Sequence, residues 1–285
     1  MAAWPRMVPV LLSLAASACW GTADFLGGLQ SKRVPVPVVL LLVEGTGLAG
    51  VLLIIVVTGE PLPGLRAAIL AMVAGVAGVI ALGCFYRALS IGTMSIVAPI
   101  SATGVTLPVV VGIATGDRLS TVVAAGLGVT VVGVVLASRE HHDDEQRTAA
   151  GRLSVGLALV AALGFGSYFV LSDAAADDSV LWLLALSRII PVPGLAAFAW
   201  ARGMRPPPAR TASILAAAGT LDCSATALYG VANTKGALSI VAVVGSLYPV
   251  MTLILARAVL SERIRRVQQV GVVAALAGVA MIAAG

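Results

Sequence analysis

The chain has 285 residues, of which 59% are hydrophobic and only 11% are charged, and its formal net charge is +5. An average soluble domain carries about 25% charged residues, so this composition excludes a water-soluble globular protein of this size. The basic residues are spread over short connections between apolar runs, with no basic domain and no interleaved aromatic residues, which excludes a nucleic-acid-binding protein.

The first apolar run imitates a secretory or lipoprotein signal, because Arg6 precedes an apolar stretch that ends in small residues at Cys19. The position three before that cysteine is Ala16, where a lipoprotein signal usually has Leu. The run also continues to Gly28, which makes it long enough to cross a bilayer. We therefore expect this segment to be the first membrane helix.

Runs of roughly 20 apolar residues cross a membrane as helices. Ten runs in this chain qualify, and they predict an all-α, polytopic membrane protein with ten transmembrane helices. The connections between them are short, as expected for neighbouring helices that pack antiparallel. The predicted spans are 7–28, 36–57, 67–86, 93–114, 120–137, 153–172, 179–199, 211–231, 238–259 and 266–284.

The longest polar segment, 139–152, lies at the centre of the chain and contains His141, His142 and the acidic run 143–145. Such a charge run is typical of a solvated loop, and a metal cluster is the less favoured alternative. The three cysteines lie in apolar runs without metal-ligand spacing and are expected to be core residues. No metal and no other cofactor is therefore expected.

The two halves of the chain repeat one another. A shift of 144 residues places Gly92 on Gly236 and Ser95 on Ser239, and a shift of 145 aligns the glycines further along. Because the shift is close to half the chain length, the repeat is a duplication of the whole architecture. The predicted units are a first five-helix repeat at 1–138, a central polar loop at 139–152 and a second five-helix repeat at 153–285.

Five helices per copy is an odd number, so the second copy must cross the membrane in the opposite sense to the first. Inverted repeats are typical of secondary transporters, in which a site near the midplane is reached alternately from each side. A membrane enzyme has no need for such symmetry. The small residues of several spans are expected to let helix backbones approach closely: Gly75, Gly78, Gly126, Gly133, Gly271 and Gly278.

Short motifs resemble those of the EamA-type drug/metabolite transporters, and they recur in order along essentially the whole chain. The motifs are Trp20-Gly21 in the first helix, Tyr86-Arg87-Ala88-Leu89 at the end of the third, Ser-Ile-Val at the start of the fourth and ninth, Tyr248-Pro249 in the ninth, and the turn Gly116-Asp117-Arg118-Leu119-Ser120. The resemblance implies a ten-helix carrier that moves small metabolites, amino acids or drugs, often outward.

The chain departs from the family pattern at three positions. It has Val105 where the family usually has Pro, Ser261 where the family usually has Gly, and Glu44 where the family commonly has Arg. The kink of the fourth helix is therefore expected at another position. The resemblance also implies that both termini lie in the cytoplasm, whereas most basic residues lie in odd-numbered connections, which would place both termini outside. The orientation stays open between these two.

Four ionisable residues lie within the predicted spans: Asp24, Glu44, Arg188 and Asp222. Placing each of these side chains in the membrane costs about 2.5–3.5 kcal/mol on insertion scales, so each is expected to have a structural or functional role. Glu44 and Arg188 are 144 residues apart and thus occupy equivalent positions in the two copies. We expect them to form a buried ion pair, which either only holds the second and seventh helices in register or takes part in gating or coupling.

Asp24 has a different interpretation. A lone acid on the first helix of such a carrier could release a proton when a substrate arrives, a logic that resembles that of the small multidrug resistance pumps of the same superfamily. The alternative is that Asp24 reaches water, Lys32 or Arg33 near the helix end. Asp222 has no charged counterpart, because the equivalent residue is Gly78. It either lines the cavity or accepts a hydrogen bond from a neighbouring helix.

Further polar and aromatic residues of the spans are candidates for the wall of a substrate cavity, although ordinary helix packing explains each of them singly at least as well. They are Trp20, Ser95, Tyr168, Tyr229, Tyr248 and Ser239. Together with the four ionisable residues they form the predicted substrate-binding and coupling set, and no catalytic residue is predicted.

The sequence thus predicts a secondary transporter that exports a small metabolite, amino acid or drug by alternating access. No P-loop is present, so a proton or solute gradient is the expected energy source. An importer or exchanger of the same fold is the first alternative, and a membrane-embedded enzyme or assembly factor is the second. The enzyme is disfavoured because no HExxH or paired intramembrane Asp motif occurs. The expected setting is a monomer that spans the cell membrane several times, with lipid, a small solute and protons as its partners.

Overall fold

The computed structural model describes residues 4–107, 111, 120–137, 145–176, 179–235, 245, 247–261 and 266–284. Within these residues the chain is helical, and a 3₁₀ turn at Thr103–Val105 follows the fourth helix. The helices are α1 Trp4–Gln30, α2 Val36–Thr58, α3 Leu65–Ile91, α4 Met94–Ala102, α5 Thr121–Ala137, α6 Glu145–Ala176, α7 Val180–Ile189, α8 Pro191–Ala201, α9 Ala209–Lys235, α10 Tyr248–Leu260 and α11 Arg266–Ala284.

Six helical segments are long and apolar enough to cross a hydrocarbon layer, with α7 and α8 together forming one of them. They are Val8–Gln30, Val36–Thr58, Leu65–Ile91, Ala149–Ser172, Val180–Ala201 and Ala209–Ala232. Parts of α5, α10 and α11 form shorter apolar helices. The helical secondary structure of the described residues and the length of these six apolar segments confirm the coarse prediction of an all-helical, polytopic membrane protein.

Large apolar side chains are exposed on the outer faces of these helices, among them Leu53, Val56, Val57, Val73 and Trp200. A soluble monomer rarely leaves so much apolar surface in contact with water. The pattern fits helices whose outer faces contact hydrocarbon while their inner faces pack against one another.

The structure differs from the predictions in one boundary, and one predicted span, confirmed as the segment Val180–Ala201, consists of two helices. α6 begins at Glu145, so the end of the predicted central loop at 139–152 is helical, because the polar residues before the span are good helix formers. The predicted span 179–199 is interrupted after Ile190, because Pro191 has no amide hydrogen and its ring collides with the carbonyl of Ser187 in a continuous helix. The remainder of spans 93–114 and 238–259, beyond α4 and α10, lies mostly outside the described residues.

Glycines bring helix backbones together at equivalent places in the two copies. A side chain on Gly75 of α3 would collide with the backbone of Ser187 in α7, and a side chain on Gly219 of α9 would collide with the backbone of Val43 in α2. Both pairs are related by the 144-residue shift, with the copies exchanged. The same close approach is therefore made twice.

A second pair of close contacts also repeats, with a shift of 145 residues for one partner and 144 for the other. Gly21 of α1 lies against the backbone of Tyr248 in α10, and Gly166 of α6 lies against the backbone of Gly104 in the turn after α4. The packing of whole helices repeats as well. α1 packs along α9, and their equivalents in the other copy, α6 and α3, pack along each other. Each copy thus presents the same surfaces to the other.

The last helix of each copy packs against its own equivalent. Gly133 of α5 leaves no room for a side chain beside Ala275 of α11, and Gly278 of α11 leaves none beside Thr130 of α5. For Gly75, Gly133 and Gly278, the prediction that small residues allow close backbone approach is confirmed.

Replacing Gly75 or Gly219 by Ala is expected to destabilise the protein by at least about 1–3 kcal/mol, because the new methyl group would overlap a backbone that cannot move alone. The matched control is Gly50→Ala, a helical position where the methyl group would meet no atom within 4 Å. Thermal midpoints and the monodisperse fraction in detergent measure the effect. Equal midpoints for all three variants would contradict the close approach.

The residue that caps the C-terminal end of α10 has an unusual backbone conformation. Ser261 has φ 54° and ends the helix in the left-handed conformation, and among the described residues it is the one non-glycine with a positive φ. The family pattern has Gly here, which adopts this conformation without strain. Gly59 ends α2 in the same conformation, with φ 66°.

Ser261→Gly is expected to stabilise the protein by about 1 kcal/mol, because a side chain in the left-handed region costs about 1–2 kcal/mol. Gly59→Ser is the reciprocal variant and is expected to destabilise by a similar amount, since its side chain would meet no atom within 4 Å and only the backbone cost changes. The thermal midpoint in one detergent gives both signs. Two shifts of the same sign would refute the explanation.

Candidate functional site

An ion-pair cluster surrounds Arg188 of α7, whose exposed fraction is only 6%. Its Nε lies 3.0 Å from Glu44 Oε2 of α2. Its Nη2 donates a 2.8 Å hydrogen bond to Asp222 Oδ2 of α9, and its Nη1 donates a 3.1 Å hydrogen bond to the Leu184 carbonyl of its own helix. The guanidinium therefore joins three helices by charge-assisted contacts.

The predicted pair between Glu44 and Arg188 is confirmed, so the two equivalent positions do meet between the copies. Asp222 joins this pair as a third member, which was not predicted. Of the two roles predicted for Asp222, the structure shows the second, because its carboxylate accepts a hydrogen bond from a neighbouring helix. One guanidinium thus faces two carboxylates. A buried charge is tolerated when it is paired, and Arg188 pairs with both carboxylates, with Glu44 as an ion pair and with Asp222 through a hydrogen bond as well.

Local sequence makes room for the guanidinium. Gly47 lies one turn after Glu44 on α2, and a Cβ at that position would lie 3.1 Å from Arg188 Nε. The thiol of Cys223 approaches the Gly47 carbonyl at 3.7 Å from the α9 side. α7 ends at Ile189, just before Pro191, so Arg188 lies in the last turn of a short helix.

Asp24 of α1 extends the acidic side of this cluster. It interacts electrostatically with Asp222 of α9. Lys32 and Arg33 are both exposed, and Asp24 forms no ion pair or hydrogen bond within the described residues. Asp24 therefore does not pair with Lys32 or Arg33, while the other part of the alternative, contact with water, stays a prediction.

Aromatic side chains lie on α1 and on helices that pack against it. The Trp20 ring of α1 is 5.4 Å from the Tyr229 ring of α9. Tyr248 of α10 interacts electrostatically with Asp24. Tyr86 of α3 is fully buried against the backbone of Gly27 and also interacts with Asp24. The sequence interpretation used Tyr86 only as part of a motif and missed its place in the site; its position at the end of a span was the available signal.

In the other half of the site, the two positions equivalent to Asp24 and Asp222 carry no carboxylate. Shifting Asp24 by 144 residues gives Tyr168 of α6, and shifting Asp222 back gives Gly78 of α3. A Cβ on Gly78 would lie 3.0 Å from the Tyr168 ring, so the two are neighbours as Asp24 and Asp222 are. Tyr168 also interacts electrostatically with Arg188. The two positions equivalent to Asp24 and Asp222 are therefore neighbours too, and neither of them carries a charge.

Of the two predicted serines, the structure describes one. Ser95 is fully buried near the start of α4 and belongs to the packed interior. Ser239 lies outside the described residues, as do His141 and His142 of the central segment. Within the described part of the chain, no group of three or more His, Cys, Asp or Glu side chains is placed to hold a metal ion.

A second polar contact joins the copies at the ends of their helices. Ser179, the N-cap of α7, donates a 2.7 Å hydrogen bond to Glu60 Oε1 in the turn between α2 and α3. The Trp182 indole Nε1 donates to the Glu60 carbonyl at 3.2 Å, and the Trp182 amide donates to Ser179 Oγ at 3.3 Å. We refer to Glu60, Ser179 and Trp182 as the terminal clasp.

A family model described as the EamA-like transporter family matches the chain twice, over residues 7–139 and 152–284. The chain belongs to the EamA-like transporter family. The resemblance inferred from the motifs is thereby confirmed, and this family member is a multi-pass membrane transporter. Members of the family are transporters rather than enzymes.

A solved structure, described only as the crystal structure of a protein, has the same fold. It is similar to this EamA-like chain with a TM-score of 0.64 and 15% sequence identity, over 97% of this chain and 96% of the other. No curated protein matches the sequence. At this identity the similarity establishes the fold alone.

Arg188→Gln is expected to destabilise the protein by about 3–5 kcal/mol, because it leaves Glu44 and Asp222 as buried carboxylates without their partner. Glu44→Gln is expected to cost less, because Arg188 keeps Asp222. The thermal midpoint in detergent measures both. A smaller loss for Arg188→Gln than for Glu44→Gln would contradict the central position of Arg188.

The double variant Glu44→Arg/Arg188→Glu should recover only part of the loss, because it places a carboxylate beside Asp222. Adding Asp222→Asn should recover more. Full recovery in the double variant would mean that Asp222 contributes nothing to the cluster.

Proposed function

We propose that the protein is a secondary active carrier that exports a small metabolite, amino acid or drug by alternating access. The observation that carries this proposal is the placement of a buried cluster of charges, Arg188, Glu44 and Asp222, where the two copies meet through exchanged contacts. Charges inside a membrane protein mark a solute or ion path by default. A site between two repeats can be reached from either side when the repeats rock against one another.

The architecture proposed for this carrier is ten transmembrane helices in two inverted five-helix repeats. The exchanged contacts of Gly75 with Ser187 and of Gly219 with Val43 support a twofold relation between the copies. Five crossings per copy would then turn the second copy upside down. α4 and α10 would each belong to a longer span whose remainder lies largely outside the described residues.

Each predicted site residue receives a role in this proposal. The ion pair of Glu44 and Arg188 crosses from one copy to the other and is suited to gating, because relative motion of the copies would stretch it. The solute-binding wall would be formed by Trp20, Tyr168, Tyr229, Tyr248 and Ser239, whereas the fifth predicted polar and aromatic position with a described side chain, Ser95, lies in the packed interior. Tyr86, buried beside Asp24, joins this set.

Proton coupling is proposed to act through Asp24. This carboxyl group has no hydrogen-bond or ion-pair partner within the described residues and lies near a second carboxylate, Asp222. Two neighbouring acids favour binding of a proton, and an arriving solute can displace it. Uptake of one proton against release of one solute would then drive export.

Import or exchange by the same fold is the alternative to export, since helix packing does not determine the direction in which the solute moves. A membrane-embedded enzyme is the third candidate, and nothing among the described side chains favours it. We place the carrier in the cell membrane as a monomer, because both halves of the site come from one chain.

The function is tested with purified protein in liposomes, by following a metabolite panel with and without a pH gradient. Gradient-driven movement of at least one solute, above that of empty liposomes, is expected. Failure of the whole panel in vesicles of both protein orientations would count against a carrier.

Asp24→Asn is expected to abolish accumulation driven by a pH gradient while leaving solute counterflow at saturating concentration, because counterflow needs no net proton movement. Reconstituted amounts of the variant and the wild type are matched before comparison. An unchanged response to the pH gradient would refute coupling through this acid.

A further inference from the structure

We propose that one face of the protein binds the headgroups of anionic phospholipids. This face is formed by the connection between α1 and α2, the end of α3 and the connection between α8 and α9. Lipid binding here does not depend on the proposed carrier function. Six basic residues form this surface, which we call the basic face: Lys32, Arg33, Arg87, Arg202, Arg205 and Arg210.

The end of α1 and the end of α3 lie side by side. A side chain on Gly28 of α1 would collide with the side chain of Leu89 in the last turn of α3. Lys32 and Arg33 lie in the connection that follows α1, and Arg87 lies two residues before Leu89. These three basic residues therefore belong to one face of the helix assembly.

The connection between α8 and α9 lies on the same face, and the terminal clasp is the reason. The clasp holds Ser179, at the start of α7, beside Glu60 in the turn between α2 and α3. α7 and α8 together form one apolar segment long enough to cross the hydrocarbon layer, as do α2 and α3. α8 therefore ends at the opposite face from the clasp, where α2 begins and α3 ends. Arg202, Arg205 and Arg210 follow α8 directly and so join the basic face.

The positive charge of this face is not compensated locally. All six side chains are exposed, and the sequence segments 30–36, 86–93 and 200–210 contain neither Asp nor Glu. The segments 139–152 and 262–266, which also follow odd-numbered predicted spans, hold five acidic and six basic residues, so their charges do not reverse the balance. At the clasped end, the segments 59–66 and 173–179 hold four acidic residues and one basic residue.

Aromatic residues at the end of α8 indicate that the basic face lies at the depth of lipid headgroups. Trp200 is 85% exposed at the end of an apolar span, a position typical of the boundary between hydrocarbon and headgroups. The Arg202 guanidinium lies 5.2 Å from the centre of the Phe198 ring. Its charge is therefore held against the last turn of the span, where the phosphate of a lipid lies, and a guanidinium binds phosphate well.

An anionic phospholipid matches both features of this surface. Its acyl chains can lie along the exposed apolar side chains of the spans, while its net negative charge is attracted by the basic residues. A zwitterionic phospholipid has the same phosphate and also a cationic group, which the basic face would repel. The preference should therefore depend on headgroup charge.

The test compares phosphatidylglycerol with phosphatidylcholine of identical acyl chains, so that only the headgroup differs. The purified full-length protein is delipidated in detergent and loaded with an equimolar mixture, and the retained lipids are counted by native mass spectrometry. We expect about tenfold more phosphatidylglycerol than phosphatidylcholine at low salt, since each basic residue near an anionic surface contributes roughly a fivefold factor in affinity. The preference should fall as salt is added.

Two double variants remove exposed charges from the basic face, Arg202→Gln/Arg205→Gln and Lys32→Gln/Arg33→Gln. Each is expected to lower the preference for phosphatidylglycerol by about threefold or more, because two attractive charges are lost. Arg66→Gln is the matched control, since it removes an exposed basic residue at the clasped end and should leave the preference unchanged. The wild-type comparison decides the question even if a variant does not fold.

Equal retention of the two lipids by the wild type would overturn the inference, as would an equal loss of preference in the Arg66→Gln control. Inorganic phosphate, compared with chloride at equal ionic strength, separates a lipid from a soluble anion. If phosphate displaces phosphatidylglycerol more than chloride does, the surface binds a soluble anion and the inference is wrong.

The outcome for lipid binding is separate from the outcome for transport. A preference for phosphatidylglycerol without movement of any solute in liposomes would support the lipid surface and count against the carrier. Transport without a lipid preference would overturn the lipid surface alone.

Discussion

The burial of Arg188 is the constraint on which the rest of this structure depends. A guanidinium within apolar helices must find its partners in the protein, and here they come from α2, α9 and its own helix. Because Glu44 belongs to one copy while Arg188 and Asp222 belong to the other, the copies must dock in one register. The glycine contacts at Gly75 and Gly219 set the backbone distances at which these side chains can reach each other.

Much of the fold and part of the site could be predicted from the sequence, for physical reasons. Apolar length marks a membrane helix wherever lipid is the solvent, and a duplication turns one sequence into an internal alignment. The same alignment predicted the pair of Glu44 and Arg188, because residues near a twofold axis meet their own equivalents. The family assignment and the all-helical, membrane-spanning character rest on these signals.

The remaining features depend on differences between the copies, which an internal alignment cannot supply. Asp222 was left with two interpretations because its equivalent, Gly78, has no side chain to suggest a partner. Tyr86 gave no polar signal, since its environment comes from α1 and from acids on two other helices. The contact of Ser179 with Glu60 joins residues 119 apart with no periodic pattern between them.

The terminal clasp exists on one face only. The residues equivalent to Glu60, Ser179 and Trp182 are Met204, Pro35 and Val38, which have no carboxylate, hydroxyl or indole with which to build the same three hydrogen bonds. Two copies that are alike in their backbone packing are therefore fastened unequally at their two ends. Separating the copies at the clasped end would break the two hydrogen bonds that Glu60 makes with Ser179 and Trp182 of the other copy, and the equivalent residues at the opposite end have no side chains for these bonds.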